Sequence, residues 1–352
     1  MQGIKGRTSF ASFVADALHL EPFTLVDIGC ALGIDDAWRV FGDKLKAFGF
    51  DPNIEEIEKL SKMETNAGVF YTAAFVGVPR DAQGAWRIGS HQFLDRTPWA
   101  RLSVNRTLEI ERNRLSKLDN AEKTKLNLWG QVPLADPSEA IILPTFLSER
   151  GVDNVDFIKI DVDGPDFLIL RSLERLLRDA NVLGVGIEVN FPGSDDPDIH
   201  TFHNVDRFLK RNGFELFLLS TRPYSTASLP APYQSTNPAE TLWGRILQGD
   251  AIYFRDGAAP NCIAWADAAG SEKLMKLAAL FSLFGLPDCA AEIIIQFRPA
   301  LEKAIDVGKG LDILTKQSVQ DEHRLFSYAE YMAEFERNGP LFYSASRGEP
   351  RA

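Results

Sequence analysis

Between Val155 and Leu170 the chain reads VDFIKIDVDGPDFLIL. A short apolar run, DFIKI, ends in Asp161, and Gly164-Pro165 turns the chain into PDFLILRSLERLLRDA, which has helical spacing. A strand buried on both faces and followed by its covering helix has this form. Acids at the exit of such a strand stand where open α/β sheets bind ligands, outside the carboxyl ends of the strands. Asp161, the last strand residue, is expected to face that crevice. Asp163 or Asp166 is expected to cap the helix that follows. Asp156, ahead of the strand, reads as a solvated turn residue.

The same rhythm recurs on both sides. FTLVDIG (Phe23 to Gly29) reads as a first strand, and DDAWRVFGDKL as its helix with Asp35 or Asp36 at the N-cap. KAFGFDPN and IEEIEKLSKM give a second strand and helix, and VFYTAAFVG (Val69 to Gly77) a third strand. VLGVGIEVNF is the fifth strand and HNVDRFLKRNG its helix; FELFLLS and DAIYFR are two final strands, joined by a Pro-, Ser- and Thr-rich loop from Thr221 to Gly249. Such alternation implies a parallel sheet covered on both faces. A polar insertion at about 79–135 interrupts it. After Asp256 the strand signals stop, and SEKLMKLAALFSLFG and DCAAEIIIQFRPALEKAI repeat at helical period. The expected organisation is an N-terminal helical segment over 1–22, a sheet domain over 23–256 with the insertion, and a helical C-terminal appendage over 257–352.

The chain has 352 residues, enough for one large domain with an appendage, and a net charge of −11. That charge argues against a nucleic-acid partner, which requires a basic face. Three scattered cysteines, Cys30, Cys262 and Cys289, suit a reducing compartment. With no apolar run of signal-peptide or membrane-spanning length, the expectation is a soluble cytoplasmic protein. Peripheral recruitment to a membrane-bound partner stays open.

VDIGCALG places Asp27, Gly29 and Gly33 where the first strand turns towards its helix, and residues without bulk let a ligand approach the backbone. The dinucleotide fingerprint G-x-G-x-x-G fails, since Ala31 and Ile34 hold its second and third glycine positions. A purely structural turn is the alternative. Asp51 ends the next strand, 24 residues after Asp27, where an acid can accept hydrogen bonds from both hydroxyls of a ribose. Loop and acid together suit an adenosine-bearing ligand without an essential pyrophosphate, which S-adenosylmethionine satisfies.

Glu188 and Asn190 end the fifth strand beside Asp161. They can form an oxygen-rich site for Mg²⁺, orient a substrate hydroxyl, or, for Glu188, make a core salt bridge. The metal-free version is favoured, because residues two apart on a strand are separated by about 7 Å. His200 and His203 stand at a helix entrance; each is either a surface or capping residue or a base for a hydroxyl proton.

In VDIGCALG, GFDPN, VDFIKIDVDGPDFLILRSL, GIEVNF, HTFHNVDRFLKRNGFELFLL and GRILQGDAIYFR, the chain resembles S-adenosylmethionine-dependent methyltransferases of the FkbM type. The pieces come in family order over roughly Thr24 to Arg255. Asp163 replaces the glutamate usual in K-I-D-V-E-G, and Ala31 replaces the usual Asn or Gly. The resemblance implies a Rossmann-like class I methyltransferase fold: a mostly parallel seven-stranded sheet with an antiparallel last strand, an inserted lid and the helical appendage. It implies methyl transfer, usually to a hydroxyl of a sugar, glycan or secondary metabolite. Asp27, Gly29, Cys30, Ala31, Gly33, Asp51, Pro52, Ala74 and Asp161 would hold the cofactor. Asp161, Glu188, His200 and His203 would serve catalysis, and Asp163, Asn190, Trp99, Arg101 and Arg106 the acceptor. A different class of function, a non-catalytic module recruiting partners through its helical tail, is separated by whether the cofactor binds. The C-terminal helices are the expected seat of a protein partner or a second copy.

Overall fold

The computed structural model describes residues 4, 6, 8–77, 106–117, 133–162, 164–179, 182–231, 240–318 and 327–342. Seven strands form one sheet: β1 Phe23–Ile28, β2 Leu45–Asp51, β3 Val69–Ala73, β4 Phe157–Ile160, β5 Gly184–Asn190, β6 Glu215–Tyr224 and β7 Arg245–Phe254. Their order is β3-β2-β1-β4-β5-β7-β6. β1 to β5 pair in parallel, and β7 runs antiparallel to both its neighbours. This is the Rossmann-like α/β sheet that the sequence implies. Strand order reverses between β1 and β4, which opens a crevice above their carboxyl ends.

Period-two alternation decides which side chains reach that crevice. Val26, Ile28, Phe48, Phe50, Ile158, Ile160, Val185 and Ile187 point to one side and pack with helices Leu143–Glu149, Asp166–Ser172 and Phe202–Arg211. Each such buried side chain contributes roughly 1.5–3 kcal/mol relative to exposure. Their neighbours along the strands, among them Asp27, Asp51, Lys159 and Glu188, take the opposite side. A one-residue slip would drive these charges into the apolar core, so the register is strongly specified.

Several elements differ from the sequence expectation. DDAWRVFGDKL forms a 3-10 segment, Asp36–Lys44, broken at Gly42 with φ +53°. An α-helix cannot run through that left-handed residue and still deliver Leu45 directly into β2. β3 is shorter than read: past Ala73 the chain keeps only an isolated bridge, Val76 to Ile141. The loop read over Thr221 to Gly249 is shorter, because β6 runs to Tyr224 and β7 starts at Arg245. Pro223 is tolerated because β6 is an edge strand and the pairing shifts at Arg222/Pro223. Asp156 is fully buried rather than solvated; its carboxylate accepts the Thr24 N–H at 2.8 Å and ties the start of β1 to the entrance of β4.

The chain separates into two compact units. The first holds the sheet, Phe23–Ile34 and Leu45–Asp256; the second gathers Gly3–Pro22, Asp35–Lys44 and Gly257–Ala352. In the second, helix Ser9–Ala15 packs on helices Ile263–Leu283 and Val307–Ser318. The fully buried Lys276 donates from Nζ to the Pro22 carbonyl at 2.7 Å. Among the described residues no helix is long and apolar enough to cross a membrane. Of the insertion at 79–135, only 106–117 and 133–135 are described, and they include helix Arg106–Ser116.

Candidate active site

The β1–β4 side of the crevice is built around a buried ion pair. Asp27 on β1 lies in register with Lys159 on β4. Lys159 donates from Nζ to Asp27 Oδ1 at 2.8 Å and to the Gly29 carbonyl at 2.9 Å, and lies 3.9 Å from Asp161 Oδ2. A lysine inside an apolar strand is costly without such partners. Burial works against the Lys159 charge, but Asp27 and Asp161 hold the ammonium above its ordinary value. Burial pushes the Asp27 carboxyl up, and Lys159 pulls it back.

The loop after β1 presses its backbone against the end of β4. Gly29 has φ +89°, and a Cβ placed there would stand 1.9 Å from the Asp161 carbonyl oxygen. Gly29 and Cys30 both donate N–H to the Phe50 carbonyl, and Gly33 N–H closes a turn onto Cys30 around Ala31. Cys30 is buried, and burial, together with Asp27 and Asp51, pushes its thiol well above the ordinary range, so it packs rather than reacts.

Asp51 ends β2 and is only 3% exposed. One carboxylate oxygen accepts the Asn53 N–H at 2.9 Å, while burial pushes the carboxyl up. Asn53 in turn caps helix Ile54–Met63, and Ala74 N–H donates to the Asp51 carbonyl at 3.0 Å. Pro52 accepts from Ala135 N–H through its carbonyl. A desolvated acid with one intrachain hydrogen bond among the described residues, beside a loop kept free of side chains at Gly29 and Gly33, fits a ribose carrying two hydroxyl donors. The residues therefore fit S-adenosylmethionine.

On the other side of the switch point, Glu188 is paired with Asp250 in register and faces Arg222. Arg222 also lies 3.2 Å from Asp250, and Gln248 Nε2 stands 3.5 Å from Glu188 Oε2. Burial opposes the Arg222 charge; Asp250 and Glu188 outweigh it and raise the guanidinium further. Among the described residues no three His, Cys, Asp or Glu side chains converge as a metal site.

Beside this network, His200 is buried and donates from Nε2 to the Glu188 carbonyl at 2.8 Å. With that proton committed, Nδ1 offers its lone pair to Asn190 Nδ2, 3.4 Å away. Asn190 is 9% exposed, and its Oδ1 is buried without a hydrogen-bond partner among the described residues. Asp166, 3.8 Å from His200 Nδ1, accepts the N–H groups of Val162 and Gly164 and so fixes the loop after β4. His203 is exposed and donates to the Ser194 carbonyl at 3.1 Å; no described hydrogen bond or ion pair links it to Asp161, Glu188 or Asn190. Arg106 opens its helix, with its backbone N–H on the Thr226 carbonyl, and Leu108 packs on Tyr224 and Leu247. Asp163, Trp99 and Arg101 lie outside the described residues.

Sequence reasoning passed over Lys159 and Arg222 as structural members of this rim, and it read Asp166 as a helix cap, whereas Asp166 lies inside the first turn of its helix and accepts from the loop ahead of it. Lys159 had a signal, a charge in the middle of DFIKID that had to find a partner. Arg222 had none, because its stretch reads as loop.

A family model, the methyltransferase FkbM domain, matches residues 34–216, just over half of the chain and starting at the last residue of the loop after β1. No curated protein matches the chain. Among solved structures, an S-adenosylmethionine-dependent methyltransferase from Aquifex aeolicus is similar at 12% identity and TM-score 0.27, over 70% of this chain and 90% of that one. Magnesium protoporphyrin IX methyltransferase from Synechocystis, with bound S-adenosylmethionine, is similar at 11% identity and TM-score 0.27, over 69% of this chain and 75% of that one. With the family model matching just over half of the chain, the chain belongs to the FkbM methyltransferase family and is an S-adenosylmethionine-dependent methyltransferase.

Proposed function

We propose that the enzyme transfers the methyl group to a hydroxyl of a sugar, glycan or related secondary-metabolite acceptor. The observation that carries this reading is Asn190 Oδ1, a buried acceptor at the carboxyl end of β5 with no hydrogen-bond partner among the described residues. Leaving such a group unpaired costs about 1–3 kcal/mol, and a hydroxyl donor arriving at the rim relieves it. Bound S-adenosylmethionine supplies a methyl group already activated by its sulfonium. The chain then has to hold the acceptor oxygen in line and receive its proton.

In this proposal Asp51 holds the ribose, Asn190 orients the hydroxyl, and the partly exposed Asp161 takes the proton. His200 sets the Asn190 amide rather than acting as base, since both its ring nitrogens are engaged. Glu188 keeps its carboxylate towards Arg222 and Gln248, so no metal is assigned to it. Trp99, Arg101, Arg106 and Asp163 remain proposed acceptor contacts. The products are a methyl ether and S-adenosylhomocysteine.

The test is transfer of an isotope-labelled methyl group to a panel of monosaccharides, nucleotide sugars and glycolipid precursors. The expected product carries the label as a methyl ether, stable to mild base. A base-labile methyl ester, an N-methyl product, or no transfer by a protein that binds the cofactor would overturn the hydroxyl assignment.

A further inference from the structure

Tyr71, on β3, lies in register with Gly49 on β2, which in turn lies in register with Asp27 on β1. Its side chain therefore extends over β2 towards the cofactor loop. Two strand spacings amount to about 9.5 Å, a gap that a short side chain does not bridge. A phenol laid across a glycine does. A Cβ at Gly49 would stand 2.8 Å from Tyr71 Cδ1 and equally 2.8 Å from Cys30 Sγ of the loop, and one at Gly33 would stand 3.3 Å from the phenol oxygen. Both glycines thus leave the space that this ring and its hydroxyl occupy.

The hydroxyl is engaged at both ends. It accepts the Ile34 N–H at 3.3 Å and donates to Glu64 Oε2 at 3.4 Å. Glu64, the C-cap of helix Ile54–Met63, uses its other oxygen for the N–H groups of Thr65 and Asn66. That helix begins at Asn53, whose N–H donates to Asp51. Past its first turn, the described residues hold the cofactor loop through the buried Ile34 side chain and the Ile34 N–H. Gly33 bonds back to Cys30, and Leu32 is 89% exposed. The Ile34 N–H on the tyrosine is the described backbone hydrogen bond that ties down the far end of the loop.

We infer that Tyr71 is a positioning residue for S-adenosylmethionine: it braces the far end of loop 29–34 against the helix that follows Asp51, so that loop and ribose acid keep a fixed spacing. The loop holds two left-handed glycines and would otherwise sample many conformations, which the cofactor would have to order on binding. The inference rests on the cofactor assignment and adds to it a residue that need not touch the ligand.

The experiment uses the full chain with Tyr71→Phe, which keeps the ring and removes only its hydroxyl, and Gly49→Ala, which presses on both the ring and the Cys30 thiol of the loop. Calorimetric titration with S-adenosylmethionine and S-adenosylhomocysteine is combined with hydrogen exchange at the Ile34 amide without ligand. For Tyr71→Phe we expect both ligands to weaken by about threefold to tenfold and Ile34 exchange to accelerate. Gly49→Ala should weaken binding in the same direction. A merely structural tyrosine would lower the unfolding midpoint and leave the affinity of the folded protein unchanged. Wild-type affinity in folded Tyr71→Phe would overturn this inference alone. Failure of the unaltered protein to bind either ligand would overturn the cofactor assignment with it.

Discussion

Lys159→Met should destabilise the sheet unit by about 3–5 kcal/mol at neutral pH, the range for removing one partner of a buried ion pair. Methionine fills the space of the lysine stem but leaves Asp27 buried and the Gly29 carbonyl without its donor. The sign of the pH dependence follows from the shifts. The Lys159 value is raised, so its stabilising contribution is present below the ordinary lysine value and lost only as pH rises through the folded one. The Asp27 carboxyl is pushed up by burial, so in the variant the penalty is present above its raised value and relieved as pH falls through it. Denaturant unfolding at pH 8 and pH 5 should therefore show a smaller deficit at pH 5. A loss under about 1 kcal/mol at neutral pH would mean that the pair contributes little.

Gly29→Ala should be of similar or larger size, more than about 3 kcal/mol, from backbone strain together with overpacking. The φ of +89° disfavours any L side chain, and the new Cβ would meet the Asp161 carbonyl at 1.9 Å, an atom held in the β1–β4 junction. Gly33→Ala is the control. It shares the positive φ, but its Cβ would meet the end of Leu60 at 3.1 Å and the Tyr71 hydroxyl at 3.3 Å, both side-chain atoms that can shift. Unfolding midpoints should therefore rank wild type, Gly33→Ala, Gly29→Ala from highest to lowest. Equal midpoints for the two variants would contradict the close approach of the loop to β4.

These two residues also show what a sequence discloses. The loop VDIGCALG and the acid ending GFD are local patterns, since a strand exit and its turn are written in adjacent residues. Asp51 and Gly29 can be singled out for that reason. The partner of Asp27 lies 132 residues away and is fixed only by the pairing of β1 with β4. The order of neighbours in a sheet is not written in any one strand. Arg222 was hidden differently: Pro223 makes its stretch read as loop, and only the edge position of β6 allows the strand to continue through it. The 3-10 segment Asp36–Lys44 kept helical spacing in its sequence while Gly42 broke the helix in space. Asp156 was misplaced because a polar residue before a strand usually meets water, whereas here it meets the Thr24 N–H.

The most direct test is calorimetric titration of S-adenosylmethionine into the wild-type protein and into Asp51→Asn. Asparagine keeps an oxygen for the Asn53 N–H but removes the charged acceptor. The wild type should bind at one site, and Asp51→Asn should bind more weakly by about 1–3 kcal/mol. Burial raises the Asp51 carboxyl, so its charged form is a cost to the folded state at neutral pH. The variant should unfold no lower than wild type there, and any gain should shrink as pH falls through the raised value and wild-type Asp51 takes up its proton. Weaker binding in a protein of undiminished stability is the predicted result. Unchanged affinity in folded Asp51→Asn, or no binding to the wild type, would contradict a cofactor site at the ends of β1 and β2.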